Sequence, residues 1–328
     1  MQITITNFFL EFKTPFAIAH GRRTGTDLVF LKLEHDGIIA IGEASLPPYL
    51  NDTKESVSKF INSIFHNNQF DLSKGLPSLL KELMNFAEGN FAAKACVDIA
   101  LHNWFSQKAG MPVWEMLGLN NSPLPLCTFT IGMDEPAAIK GKVEAAGDFE
   151  LLKIKLGGNQ DKEIISAIRE VTNKPLCVDV NQGWHNDKEA ALEMIEWLNE
   201  KGVIFVEQPL TKNDFEAQAW LHERSPLPLI ADEAAQVPSD IKLIKDIYDG
   251  VNIKLMKCGG IGEGLKMIRQ AQDYDLKVLV GSMSESGCAI SAAANLSSLA
   301  DWVDLDGPLL TKNNPFDNVK YEKGRIVI

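Results

Sequence analysis

The sequence is poor in the residues that usually announce redox or soft-metal chemistry. Only five cysteines occur in 328 residues, Cys96, Cys127, Cys177, Cys258 and Cys288. Their number is odd, their surroundings are apolar, and no CxxC or Cys/His spacing links them. That argues against a disulfide framework or a zinc site and points to a reducing cytoplasm. The six histidines, His20, His35, His66, His102, His185 and His222, are scattered, so histidine ligation of a metal is not expected. Basic charge is in deficit, 32 Lys and Arg against 44 Asp and Glu for a net charge of −12. Neither nucleic acid nor an anionic membrane is therefore expected as a partner. No apolar run approaches the ~20 residues of a membrane span. The opening "MQITITNFFLEFKT" alternates like a strand and lacks the basic start, apolar stretch and cleavage site of a secretory leader. Low-complexity tracts are missing too.

What is present is a rhythm. From about residue 127 a short β-rich run, a turn and an amphipathic helical stretch recur. The runs are "CTFTIG", "LLKIKL", "PLCVDV", "VIFVEQP", "PLIADE", "GVNIKL", "KVLVGS" and "DWVDLD", with centres about every 25 residues. Eight βα units are the number that closes a (β/α)8 barrel. The helical stretches "DKEIISAIREVTN" and "DKEAALEMIEWLNEKG" open on Asp161 and Asp187, and the second closes on Gly202. Residues 1–122 break the rhythm: three strands, "QITITNFFLEF", "TDLVFLKLEHDG" and "IIAIGEASL", precede helices. The expected fold is α/β, a TIM-type barrel over residues 123–311 with an α+β capping domain over 1–122. The segment 312–328 is expected as a strand returning to the cap.

Catalytic groups of such a barrel stand at the C-terminal ends of its strands. Those ends carry Lys153 and Lys155 on the second strand, Asp179 and Asn181 on the third, and Glu207 on the fourth. The fifth ends in Asp232 and Glu233, the sixth in Lys254, and the eighth in Asp304 and Asp306. One such carboxylate is usually a helix cap or a turn residue. A set recurring at one end of successive strands is a site. Asp179, Glu207 and Asp232 make an all-oxygen ligand set, which suits a hard cation and favours Mg2+. Asn181 and Glu233 are expected to support those ligands. Lys153 and Lys155 share one face of their strand, so Lys153 is expected to lower the proton affinity of Lys155, and the metal to lower both. Lys257 lies beyond its strand and off the inward parity of Asn252 and Lys254, and is set aside as structural.

Together, "KIK" (Lys153, Lys155), "VDVNQGW" (Asp179), "VEQP" (Glu207), "ADEA" (Asp232) and "NIKLMKCGG" (Lys254) make the sequence resemble the enolase superfamily, in its muconate-lactonizing subgroup. The resemblance covers essentially the whole chain. It implies a Mg2+-dependent enzyme whose Lys155 and Lys254 face a substrate α-carbon from opposite sides, with a metal-stabilised enediolate between two proton transfers. The DxD of "DWVDLDGP" resembles that of dipeptide epimerases, where the pair holds a substrate ammonium group. The resemblance further implies Ser282 and Glu285 of "GSMSES" as dipeptide contacts, with Thr130 added on the first strand. Arg22 or Arg23 of the capping loops would meet an acidic side chain, while Pro47, Pro48, Tyr49 and Leu50 suit a small or apolar one. Ala-Glu, Ala-Ala and Ala-hydrophobic dipeptides stay open. The same lysines would also serve an o-succinylbenzoate synthase or a muconate cycloisomerase. A homo-oligomer is allowed.

"GGIGEG" (Gly259–Gly264) has its third glycine too early for a dinucleotide loop, and no acidic partner follows on a second strand. It is expected to start a helix after a tight turn.

Overall fold

The computed structural model describes residues 1–328 except 19–20, 67–69, 123 and 186. His20, and Pro123 in the expected domain boundary, lie outside the described residues. The chain opens with three antiparallel strands, β1 (Gln2–Ile18), β2 (Gly21–His35) and β3 (Ile38–Leu46). Asp36 and Gly37, both at positive φ, form the tight turn between β2 and β3. Helices α1 (Lys54–Phe65), α2 (Leu76–Asn85), α3 (Phe91–Ala109) and the short α4 (Val113–Met116) follow. The helix α3 is buried on every face from Ala92 to His102, because β2 and β3 cover one side and α1 and α2 another.

The barrel alternates β4 (Thr128–Ile131), α5 (Pro136–Ala145), β5 (Leu151–Lys155), α6 (Asp161–Arg169), β6 (Leu176–Asp179) and α7 (Lys188–Glu200). It continues through β7 (Val203–Glu207), α8 (Phe215–His222), β8 (Leu229–Ala231), α9 (Ile241–Ile244), β9 (Gly250–Lys254), α10 (Leu255–Cys258) and α11 (Ile261–Asp273). The last elements are β10 (Lys277–Gly281), α12 (Gly287–Ala294), β11 (Trp302–Asp304), α13 (Gly307–Leu310), β12 (Lys320–Glu322) and β13 (Arg325–Val327). Strands β4 to β11 form one parallel eight-stranded sheet in chain order, and a Cys127–Val303 bridge joins its two ends. All eight β-rich runs of the sequence fall on these strands.

Alternate residues of each strand face inward. Leu151, Cys177, Phe205, Ile230 and Leu279 pack together as the barrel floor. Leu152, Ile154 and their equivalents face the helices and join the main core. Register then aligns the charged row above the floor: Lys155 pairs with Asp179 and Asp179 with Glu207, while Lys254 pairs with Gly281 and Gly281 with Asp304.

Asp187 caps α7 through Ala190 N, 3.0 Å away. Asp161 does something else. Its carboxylate accepts from Gly157 N, Gly158 N and the Trp184 indole, closing the loop after β5. The C-terminal segment also differs from the single strand expected. Thr311–Asn313 lies along β1, with Lys312 N donating to Glu11 O at 2.8 Å, and the Phe316 ring packs edge-on against Phe30. The chain then leaves the cap, and β12 and β13 form a hairpin on the barrel, where Gly324 O accepts from Cys127 N at 2.7 Å. Lys323 and Gly324, both at positive φ, turn it within two residues, a signal hidden in "EKGR".

Gly259, Gly260 and Gly262 of "GGIGEG" serve the contact between cap and barrel, whereas Gly264 packs against Leu255 and Leu296 of the barrel. Asp98 of α3 accepts from Ile261 N and Gly262 N, so a cap carboxylate satisfies the open N-terminus of α11. A Cβ at Gly260 would lie 2.3 Å from Asp98 Cγ. Glu43 of β3 does the same at α12, accepting from Ser286 N, Ser286 Oγ and Ala289 N. All five cysteines are unpaired and buried. Among the described residues, no helix is long and apolar enough to cross a membrane.

Candidate active site

A cavity of about 1680 Å3 opens where the strand C-termini meet the cap. It extends past α5 to the β12–β13 hairpin, where Ala138, Lys142 and Tyr321 line it, so its volume exceeds that of the pocket over the barrel mouth. At its base Asp179, Glu207 and Asp232 come together from β6, β7 and the end of β8, with one carboxylate oxygen of each within 4.8 Å of the others. All three are buried. The oxygen-only donor set and its convergence fit a hard divalent cation. Glu207 adds a second sign: its Oε2 is buried and makes no hydrogen bond among the described residues. Lys153 Nζ stands 2.7 Å from that oxygen as an ion contact, outside hydrogen-bonding angles. Burial and the neighbouring Asp179 charge push the Glu207 carboxyl up to about 7.

Lys153 lies deeper than its strand partner. It is 1 % exposed, and its ammonium contacts Asp304 Oδ2 at 2.6 Å and Asp179 Oδ2 at 3.0 Å as well as Glu207. Burial pulls its proton affinity down, but Asp179, Asp304 and Glu207 outweigh it and hold it well above the lysine range. Lys254 follows the same pattern: burial opposes its charge, and Asp232 and Glu207 raise it. Three carboxylates from other strands surround Lys153, the carboxylate-rich setting that its burial requires.

Lys155 and Lys254 both line the cavity. Lys155 Nζ donates to Asp179 Oδ2 at 2.6 Å and Asn181 Oδ1 at 3.2 Å, and Lys254 Nζ to Asp232 Oδ2 at 2.7 Å. Their strands β5 and β9 are four apart in a barrel of eight, so they stand on opposite sides. Asn181, at φ 45°, also donates to Glu233 Oε1 at 3.3 Å, and both line the cavity. Burial and the Asp232 and Asp179 charges raise Glu233 to about 7.

The two carboxylates of the DxD part company. Asp304 is tied to Lys153, Thr128 Oγ1 (2.7 Å) and Thr130 Oγ1 (3.2 Å). Burial raises its carboxyl, yet the Lys153 and Lys155 charges bring it below the usual range. Asp306 accepts from Thr130 N at 2.6 Å and faces the cavity; burial and the Asp304 charge push it up to about 7. Ser282 also lines the cavity and donates to Asp304 O at 3.3 Å. Glu285 does not line it. Its Oε1 accepts from Met283 N beneath the loop, its Oε2 is buried without a partner, and burial and the Glu43 charge raise it to about 8. Its place is beside the cap contact at Glu43, one residue before the α12 cap.

Arg22 is exposed and stands outside the cavity wall, whereas Arg23 lines it. Strand alternation separates the two arginines. Arg23 lies over the Phe12 ring (5.7 Å) and the Tyr49 ring (5.6 Å), and its Nη1 is buried without a hydrogen-bond partner among the described residues. Asn252 and Gln208 are supporting residues that strand-end reading did not bring out, and Lys257 is one that it set aside as structural. Asn252 Nδ2 donates to Glu207 Oε1 at 2.7 Å. Gln208 Oε1 accepts from Asp232 N and Ala234 N. Lys257, set aside on parity, is buried against Asp232 because α10 turns its side chain back toward β8.

Residues 2–118 match the model of the mandelate racemase / muconate lactonizing enzyme N-terminal domain, and residues 136–318 that of the enolase C-terminal domain-like family. The chain belongs to the enolase superfamily. Within it, the chain is 42 % identical over 329 residues to the L-Ala-D/L-Glu epimerase of Bacteroides thetaiotaomicron, covering 100 % of this chain and 85 % of that protein. Its fold is similar to a substrate-liganded complex of the L-Ala-D/L-Glu epimerase from Bacillus subtilis. The TM-score is 0.91 at 27 % identity, over 99 % of this chain and 95 % of the other. A dipeptide epimerase from Enterococcus faecalis, complexed with Mg and L-Leu-L-Tyr, superposes with a TM-score of 0.90 at 26 % identity, over 99 % and 95 % of the two chains.

Proposed function

We propose that this dipeptide epimerase acts on L-Ala-D/L-Glu, inverting the α-carbon of the C-terminal residue between Lys155 and Lys254. The observation that carries the reading is the opposition of those two ammonium-bearing side chains across a cavity whose base is the Asp179–Glu207–Asp232 set. A proton next to a carboxylate is a very weak acid, because its removal places a second negative charge on the carboxyl oxygens. Mg2+ held by Asp179, Glu207 and Asp232 would supply the electrostatic stabilisation of that charge. One lysine, as the free amine, takes the proton from one face. The other, as the ammonium, returns a proton to the opposite face, and the centre is inverted with protons in balance. Asp306, with Asp304 behind it, receives the alanine ammonium and fixes the dipeptide's direction. Burial around Lys153, Asp179 and Glu207 keeps water from competing for the charged groups.

The acidic side chain is argued from Arg23. A guanidinium over the Phe12 and Tyr49 rings at the cavity wall, with a buried N–H that has no partner among the described residues, is short of an acceptor that a γ-carboxylate supplies. The relative from Bacteroides thetaiotaomicron carries that substrate in its name. The five unpaired thiols fit a reducing cytoplasm.

The test is mass spectrometry of a library of L-Ala-L-Xaa and L-Ala-D-Xaa dipeptides incubated with the protein and Mg2+ in D2O. A one-unit mass gain in L-Ala-L-Glu and L-Ala-D-Glu, lost on chelation, is expected. Gain confined to apolar dipeptides overturns the glutamate assignment, and no gain in any dipeptide overturns the reaction.

A further inference from the structure

Lys257 has no part in the proton transfers described above, yet it is among the best-anchored side chains of the barrel. It is 3 % exposed, and its ammonium donates to Asp232 Oδ1 (2.6 Å), Asp232 O (2.6 Å), Asn252 O (2.9 Å) and Ala235 O (3.2 Å). A lysine has three N–H donors, so four oxygens in reach leave it no capacity for a substrate. It sits in α10, three residues after Lys254, and Gly259 and Gly260, at φ 100° and 124°, end that helix within one turn. The end of β9 and the short helix after it bring two ammonium groups to the two oxygens of one carboxylate: Lys257 of α10 to Oδ1 and Lys254 of β9 to Oδ2. Gln208 holds the same turn from the other side, accepting from Asp232 N and Ala234 N. The main-chain N and O of Asp232 and its Oδ1 are thus all bonded within the protein, and Oδ2 alone is left facing Lys254 and the site.

We propose that Lys257 is a positioning residue that reserves Asp232 Oδ1 and so presents the carboxylate to the metal through Oδ2 alone, in a fixed orientation. The inference rests on the metal-site reading above. It also makes a prediction opposite in sign to that of the simplest alternative. As a counter-charge only, Lys257 would repel a divalent cation, and its removal would tighten metal binding. As a positioning group, its removal lets the carboxylate rotate, and binding weakens.

The experiment is Mn2+ binding to the full-length protein without substrate, by electron paramagnetic resonance of free Mn2+, for wild type and Lys257→Met, with circular dichroism as the folding control. Lys257→Met is expected to bind Mn2+ about 10- to 100-fold more weakly, the range for lost outer-shell partners of a metal ligand. Lys257→Gln, which keeps an N–H donor within reach of Asp232, should fall between the two. Unchanged or tighter binding in whichever variant folds overturns the proposal. So does failure of both to fold, which would make Lys257 a stability element. Wild-type protein that binds no Mn2+ brings down the metal site itself, a result distinct from failure of the Lys257 assignment.

Discussion

Lys153 is the residue on which the charge balance of the site turns. Its one ammonium group reaches Asp179, Glu207 and Asp304, three carboxylates from three strands, at 2.6 to 3.0 Å. Replacing it with methionine leaves Glu207 and Asp304 buried without that ion partner, while Asp179 keeps Lys155. The expected cost is about 3–5 kcal/mol of stability, the range for breaking a buried ion pair, read from urea denaturation. Lys155 and Lys254 answer to a different test. Alanine at either position should abolish epimerisation, while α-proton exchange in D2O survives for the one enantiomer whose face still carries a lysine, seen by proton NMR. Arg23 and Arg22 should separate cleanly. Arg23→Met is expected to lower kcat/KM for L-Ala-L-Glu by about 10- to 100-fold, the equivalent of a charge-assisted hydrogen bond. Arg22→Met should leave it unchanged, because Arg22 stands outside the cavity wall.

Among the elements, α3 and β3 carry the union of the two structural parts. Each brings a buried carboxylate, Asp98 or Glu43, to the N-terminus of a barrel helix. Oriented backbone N–H groups favour a negative charge there, and burial limits screening by salt. His102, one turn along α3, lies 3.1 Å from Asp98 Oδ1 and is 1 % exposed. Burial lowers its proton affinity, but the Asp98 charge and hydrogen bonds outweigh it, and the net shift is upward. A histidine raised in the folded state contributes stability that is fully present below its unfolded value and lost as pH rises through the folded one. The stability difference between wild type and His102→Gln should therefore be greatest below about pH 6.5 and shrink as pH rises above it, measured by urea denaturation. A constant or growing difference would contradict the pairing. These contacts also account for the glycine run, which the sequence presents as an incomplete nucleotide loop. Gly260 lacks a side chain because Asp98 of another domain occupies the space.

For the whole molecule, the base of the barrel mouth concentrates three carboxylates that a bound cation would neutralise. Mg2+ should raise the unfolding temperature and a chelator should reverse the gain, with stabilisation of about 2.7 kcal/mol when free Mg2+ is 100 times its Kd. Thermal scans over a Mg2+ series test this. The shift should disappear in Asp179→Asn.

The repeating order of strands and helices, the eight-strand count and the inward charged row were legible along the chain, because each is a matter of local period and parity. The type of residue at each strand end limited the chemistry to an oxygen-ligated cation flanked by lysines. Tertiary structure decided what parity cannot express. It placed Lys153 among three carboxylates, turned Lys257 back onto Asp232, and put Glu285 beneath a loop beside Glu43. It also chose Arg23 over Arg22 and sent the C-terminal hairpin to the barrel. In each case the deciding partner is distant along the chain or supplied by another element. Electrostatic and hydrogen-bond energies depend on that distance in space, which a sequence period does not carry.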